Sequence, residues 1–585
     1  MSDGAWVSEA GGLDEDVVEA IAALQELTQD TDEVSTNGAA DASVVHLENL
    51  LFRVYNQLVI DTDFTELVFD YGNALSVVFG QHAIEERGLA CAQETGQDGD
   101  RNAGIGNGSH IRGRQCIGLP AGVHAGQAPA RRENQGIRMA FAACLLDRRP
   151  GKLPVAFSTH ISMAELNGNL LVAQSGGPTS VINASIAGVI TEAGRNDGIE
   201  NILGGLNGIL GILNEELVDL GDERAKTIEG LKNTPAAALG TCRYKINFDK
   251  KPEQAARDMD RLFQVFEAHN VRYFFYAGGN DSQDTAHKIH LQAIKRGYEM
   301  RVMGVPKTID NDLPCTDHCP GYGSVVKYNA TTVMEVGLDV GSMATDDGSC
   351  CIIEVMGRAA GWIAAGTVLA KQGNPAAAPH IILVPEILLD EAKFLAQVKA
   401  TVAAYKYCVV VAGEGVKNLA GEEIGADKTR LDAFGHPVLS GAADALAQIV
   451  QGKLNLKTRT VKLGYAQRAA AHFASQTDID EAFQCGVIAV REAVNGKSGF
   501  MPKIVRQSSK PYKTTIELEN LENIANVEHF VPRDWIDADG FLPNEKFVEY
   551  VAPLIVGEPK LPIVGGLPHY VTLNRVPVDK LLAPR

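Results

Sequence analysis

Lys307-Thr308-Ile309-Asp310-Asn311-Asp312 sets a cation beside a hydroxyl and two carboxylates in one short run. In an extended segment Thr308, Asp310 and Asp312 point to one side. Phosphoryl transfer needs these parts: a base for the acceptor hydroxyl, an acidic group near a metal, and positive charge on the moving phosphoryl. A turn of capping aspartates is the plainer alternative. Upstream, Gly278-Gly279-Asn280-Asp281-Ser282 sets an amide and a carboxylate where a strand would turn into a helix. Asp281 and Ser282 could equally be caps of that helix.

Further turns carry groups of the same kind. Ser175-Gly176-Gly177-Pro178 would place free N–H groups and a helix N-terminus at one point, which is a phosphate cradle or an ordinary tight turn. Gly204-Gly205-Leu206-Asn207-Gly208 and Gly240-Thr241-Cys242-Arg243 read as additional turns, the second with a cation. Met356-Gly357-Arg358 follows a strand, and Arg358 could bind a phosphate or lie on the surface of a small-residue helix. Glu414 ends another strand, suited to sugar hydroxyls or to capping. Tyr465 and Arg468, with Arg459 upstream, offer a phenol and guanidinium groups for a sugar phosphate. Cys315 and Cys319 lack a second pair at zinc-site spacing, so zinc is not expected there.

The elements that must position these groups divide the chain into three textures. Residues 13–90 show a helical period, residues 91–167 read as a linker or disorder rich in Gly, Ala, Arg and Gln, and residues 168–585 alternate short apolar runs with helices. Strands are predicted at 169–175, 272–277, 301–305, 350–355, 380–384 and 407–412. Helices are predicted at 181–193, 281–296, 322–338, 359–371 and 390–405. This is an α/β pattern and predicts two doubly wound parallel sheets, following a partly helical or disordered extension.

The net charge of −20 is unevenly spread. Residues 1–100 carry 21 Asp and Glu against Arg53 and Arg87, so the acidity belongs mainly to the extension and says little about a ligand of the main body. No apolar run is long enough to span a membrane, the N-terminus lacks the pattern of a secretory signal, and the ten cysteines form no framework. A reduced, cytoplasmic protein is expected, with neither nucleic acid nor membrane as partner.

SGGP, GTCR, GGNDS, PKTIDND, EVMGR, GEG and LGYAQR occur in one order over 168–585. The ordered set resembles the phosphofructokinase family, in its pyrophosphate-dependent group. The resemblance implies two Rossmann-like lobes, a donor lobe near 168–321 and 467–520 and a sugar-phosphate lobe near 322–466 and 521–585. It implies Mg2+-dependent, reversible transfer of a phosphoryl group from pyrophosphate to the C1 hydroxyl of fructose 6-phosphate, giving fructose 1,6-bisphosphate and phosphate, in a homodimer or homotetramer. On the matching motifs, Asp310 would be the general base, with Lys307 and Asp281 also catalytic. Gly177 and Arg243 would contact pyrophosphate. Thr308, Ile309, Asp310, Met356, Gly357, Arg358, Glu414, Tyr465 and Arg468 would bind the sugar phosphate, with Arg459 reaching from a neighbouring subunit. Asn280 would stand at the metal position.

The resemblance also carries the choice of donor. ATP-using relatives typically have glycine at the positions of Asp281 and Lys307. Asp281 would crowd and repel a nucleotide α-phosphate, and Lys307 would hold the short donor. Such a charge pair is worth roughly 4 kcal/mol at 4 Å and an effective dielectric near 20, before desolvation. Two departures stand out: Asn280 where the metal position is commonly Asp, and Gly348-Ser349-Cys350-Cys351 where many relatives carry an arginine that crosses the subunit interface. Three other readings stay open: an ATP-dependent 6-phosphofructokinase, sedoheptulose 7-phosphate as an additional acceptor, and a non-catalytic metabolite-binding regulatory subunit.

Overall fold

The computed structural model describes residues 166–431, 437–439 and 441–585. The expectations for residues 1–90, and all but the end of those for 91–167, lie outside the described residues.

Apolar runs buried on both faces build the first sheet. Strand β1 (Gly168–Gln174) pairs in parallel with β2 (Ile199–Gly205) on one side and with β4 (Val271–Gly278) on the other. Strand β4 pairs in parallel with β5 (Arg301–Pro306). Beyond β2 lies β3 (Leu217–Asp219), antiparallel. Alternate residues enter opposite cores: Leu171, Phe274 and Val302 face one, while Leu170, Tyr273 and Met303 face the other.

The second sheet is wholly parallel. Its strands are β6 (Ser349–Val355), β7 (Ile381–Leu383), β8 (Tyr407–Gly413) and, after the antiparallel ribbon of β9 (Asp427–Leu431) and β10 (Pro437–Val438), β11 (Thr458–Lys462). Their order is β11-β6-β8-β7. Ile353 and Val411 face a core containing Trp362, Phe547 and Tyr550, whereas Ile352 and Val410 face the opposite one.

The chain then returns to the first sheet. Strand β12 (Phe500–Ser509) joins β5 in parallel, and β13 (Tyr512–Asn520) folds back on it as a hairpin. The segment Val576–Pro577 pairs with β3 at the far edge. The final residues therefore lie with the first sheet, in contrast to the expected placement of all of 521–585 with the second lobe. The physical reason is burial: Leu573 enters the core that holds β1 and β2. The segment containing Phe547 and Tyr550 does pack beneath the second sheet.

Four helices matter most for the site: α1 (Ile182–Ala193), α2 (Asn280–Arg296), α3 (Tyr322–Ser342) and α4 (Gln476–Val494). Helices α1 and α4 cross so closely that a Cβ on Gly188 would sit 2.1 Å from the Phe483 carbonyl oxygen, and one on Gly486 would sit 2.1 Å from that of Ser185. This crossing fixes Asp478 at the start of α4. Its carboxylate accepts from the N–H groups of Gly321 and Ser324 and from the Ser324 hydroxyl, at 2.8, 2.9 and 2.6 Å. The start of α3 is thereby held beside the Lys307–Asp312 run, where the Thr308 N–H donates to the Pro320 carbonyl at 3.2 Å.

Candidate active site

Strand register brings the motifs to common edges. Gln174 is opposite Ala277 and Gly278 opposite Pro306 in the first sheet. In the second, Val355 is opposite Gly413 and Lys462 opposite Glu354. The motif residues follow the carboxyl ends of these strands, where open α/β sheets bind ligands. Asp281, Asp310 and Arg243 beside the first sheet, Met356, Arg358, Glu414 and Tyr465 beside the second, and Arg468 together line one cavity of about 720 Å3.

The phosphate-type turn is assembled from three motifs. Gly176 has φ +77°, its N–H donates to the Cys242 carbonyl at 3.3 Å, and the Thr241 hydroxyl donates to the Gly176 carbonyl at 2.7 Å. The Arg243 loop is thus stitched to the glycine turn. Lys307, 2% exposed, donates from Nζ to the Gly177 carbonyl at 2.7 Å. A Cβ on Gly177 would come 3.0 Å from Arg468 Nη1. Burial pulls the Lys307 ammonium down to about 8, against the opposing pull of Asp310 and Asp312.

The carboxylate run forms a tight turn. Asn311 takes φ +55°, its side chain donates to the Tyr550 hydroxyl at 2.9 Å, and its Oδ1 accepts from the Cys319 N–H at 2.9 Å. The Asp310 N–H donates to Thr308 Oγ1 at 3.1 Å. Burial, with the neighbouring Asp312 and Glu414, pushes the Asp310 carboxyl up to about 7. Burial also raises Asp312, whose Oδ1 is buried without a hydrogen-bond partner. Ile309 turns instead into the core with Trp362, so its side chain does not line the cavity.

Asp281 and Asn280 make contacts that local spacing does not give. Asp281 is 51% exposed and pairs with Lys245 at 2.6 Å. The side chain of Asn280, expected as a metal ligand, accepts through Oδ1 from the Asn526 N–H at 2.6 Å and donates through Nδ2 to the Val527 carbonyl. Its amide fastens a C-terminal loop because that loop presents one donor and one acceptor. Hard oxygen donors for Mg2+ remain on Asp312 and Asp281, and the unpartnered Asp312 Oδ1 fits such an ion. Among the described residues no three His, Cys, Asp or Glu side chains converge tightly enough to hold a metal by themselves. Sharing of Mg2+ with substrate phosphates suits such a sparse set.

On the opposite wall, Gln467 is buried and its Oε1 accepts from the Met356 N–H at 3.2 Å and from Asn329 at 2.9 Å. Gly357, at φ +121°, donates its N–H to Glu414, whose carboxyl burial raises. The Arg468 guanidinium lies 4.2 Å from the centre of the exposed Tyr465 ring. Arg459 is exposed on β11, the outermost strand of the second sheet, and does not line the cavity. Sequence reasoning missed Lys245, Tyr550, Asn526 and the cavity-lining Glu528. It named the Gln467 motif without giving Gln467 a role.

Known proteins show the same arrangement of sequence and fold. Residues 169–493 match the phosphofructokinase family. A pyrophosphate--fructose 6-phosphate 1-phosphotransferase from Xanthomonas campestris is 47% identical over 417 residues, covering 71% of this chain and 98% of the relative. One of the same name from Halomonas elongata is 45% identical over 415 residues, with the same two coverages. The crystal structure of a pyrophosphate-dependent phosphofructokinase from Nitrosospira multiformis is 43% identical, with a TM-score of 0.66, covering 72% of this chain and 99% of that one. By sequence and by fold alike, the chain belongs to the phosphofructokinase family.

Proposed function

We propose that the chain transfers a phosphoryl group from pyrophosphate to the C1 hydroxyl of fructose 6-phosphate, reversibly. The names of the relatives support this reading. The observation that carries it within this chain is the meeting of Lys307 with the Gly176–Gly177 turn, with Asp310 in the adjoining cavity.

Lys307 and Arg243 bind the pyrophosphate and oppose charge on the moving phosphoryl group. Asp310 takes the C1 hydroxyl proton, and its carboxyl, held up to about 7 by burial, suits a base at neutral pH. Glu414, Met356 and Arg358 orient the sugar, and Arg468 with Tyr465 holds its 6-phosphate. Asp312 and Asp281 would hold Mg2+, which when bound neutralises charge on the donor oxygens. Arg459 on its outer strand serves the sugar-phosphate site of a neighbouring subunit in a homodimer or homotetramer.

Asp281 on the cavity wall favours pyrophosphate over ATP, because a nucleotide would bring an added phosphate charge against a carboxylate. Purified full-length chain, assayed with fructose 6-phosphate and Mg2+ and with each donor in turn, tests the reading. Turnover with pyrophosphate and little with ATP is expected. Turnover with ATP alone, or none with either donor, would overturn it.

A further inference from the structure

The C-terminal segment 526–531 crosses from one lobe to the other beside the cavity. On the first lobe it is held by Asn280 at two points, by Asp284 accepting from Asn526 Nδ2 at 3.0 Å, and by the His529 N–H donating to the Asp312 carbonyl at 2.9 Å. On the second lobe Trp362 Nε1 donates to the His529 carbonyl at 2.9 Å, and the Val531 N–H donates to Glu386 at 3.1 Å. Between these anchors Glu528 lines the cavity together with Asp281. Lys245 joins the two walls, reaching Asp281 at 2.6 Å and Asn526 Oδ1 at 3.2 Å.

We propose that Asn280 is a positioning residue whose amide clips this strap in place as the wall that sets donor length. The proposal rests on the pyrophosphate reading above. An amide is required because the strap offers a peptide N–H and a peptide C=O side by side. A carboxylate could accept from Asn526 but would face the Val527 carbonyl with like partial charge. The clip needs a donor as well as an acceptor, and aspartate at 280 would supply only the acceptor. A donor longer than pyrophosphate, leaving the Gly177 turn past Asp281, meets a fixed strap that carries a second carboxylate, Glu528.

The test compares Asn280→Asp with the native full-length chain by amide hydrogen exchange without ligand and by kinetics with pyrophosphate and inorganic tripolyphosphate. Losing one bond and gaining a repulsion should speed exchange across 525–531 by about tenfold or more. The KM for pyrophosphate should rise by about tenfold. The KM for fructose 6-phosphate should hold, and kcat/KM should shift toward tripolyphosphate. Native exchange across 525–531 with a lower Mg2+ requirement would instead identify Asn280 as a metal ligand and overturn the proposal. Should Asn280→Asp fail to fold, Asn280→Ala serves, since it removes both contacts to the strap and adds no charge. Faster strap exchange with a raised pyrophosphate KM supports the clip, and unchanged values for both overturn it. Exchange reads the clip whichever donor the native chain uses, so failure of the donor assignment remains distinguishable.

Discussion

Lys307 Nζ donates to the Gly177 carbonyl at 2.7 Å, tying the strand end that carries the Lys307–Asp312 run to the glycine turn of β1. A buried ammonium held this way has remaining N–H donors for an anion and pays no reorganisation at the moment of transfer. Lys307→Met keeps the stem and removes the charge. The full Coulomb interaction with a phosphate oxygen is about 4 kcal/mol at 4 Å, part of it offset by desolvation. Pyrophosphate-dependent kcat/KM should therefore fall by about a hundredfold or more. The melting temperature should also fall, because the Gly177 carbonyl loses its donor and the buried Asp310 and Asp312 lose a neighbouring cation, so kcat/KM is read well below the transition. Near-native kcat/KM would remove Lys307 from the transition state.

Asp310→Asn tests the base. The amide preserves volume and the backbone bond to Thr308, yet cannot take a proton. The kcat should drop by about a thousandfold while the KM for fructose 6-phosphate changes little. A drop confined to KM would mean that Asp310 only binds.

Much of this was legible from residue order, and the exceptions have physical causes. Strands β4, β5 and β6 are buried on both faces and read as continuous apolar runs. Strand β2 was hidden because Gly204 and Gly205 read as a turn. A Cβ on either would approach Leu239 or Ile212 at 2.7 Å, so close packing rather than chain reversal selects glycine there. The β12–β13 hairpin escaped because polar residues interrupt both strands and most of their positions are only partly buried. The expected helix over 359–371 is α-helical at Trp362–Gly366 and 3-10 at Thr367–Lys371. In the site, motif residues were readable because each lies beside a strand end. Lys245 was not: it reaches Asp281 across 36 residues and Asn526 across 281, separations that no local spacing encodes.

On the proposed reading, the Lys245–Asp281 pair would make donor choice a matter of three groups. Sequence reasoning set Asp281 and Lys307 side by side as the determinants, but Asp281 is neutralised in part by Lys245. Removing Asp281 deletes a repulsion and releases an ammonium toward the donor. Asp281→Gly should raise the ATP-to-pyrophosphate ratio of kcat/KM by about tenfold or more. Adding Lys245→Met should cancel part of that gain. The same ratio in native and Asp281→Gly protein, measured with both donors saturating for Mg2+, would show that the strap alone selects the donor.

His318 supplies a pH dependence of stability behind the Asp310–Asp312 turn. It is buried between Asp317 at 2.9 Å and Glu481 at 2.7 Å. Arg506 grips Asp317 from β12, while Tyr512 and Thr514 donate to Glu481 from β13. The Tyr550 hydroxyl, which receives Asn311, donates to the Asp317 carbonyl at 2.8 Å, so the cluster supports the active-site turn. Burial alone would depress His318, but Glu481 and Asp317 overcome it and lift the imidazole to about 9. A folded pKa above the free value near 6.5 gives stability that is full below 6.5 and is lost as pH rises through 9, at most about 3 kcal/mol. The melting temperature should fall between pH 7 and 9.5. His318→Gln should melt lower than native at pH 7, and the gap should narrow with rising pH. A gap that stays constant over that range would show that the imidazole carries no linked proton.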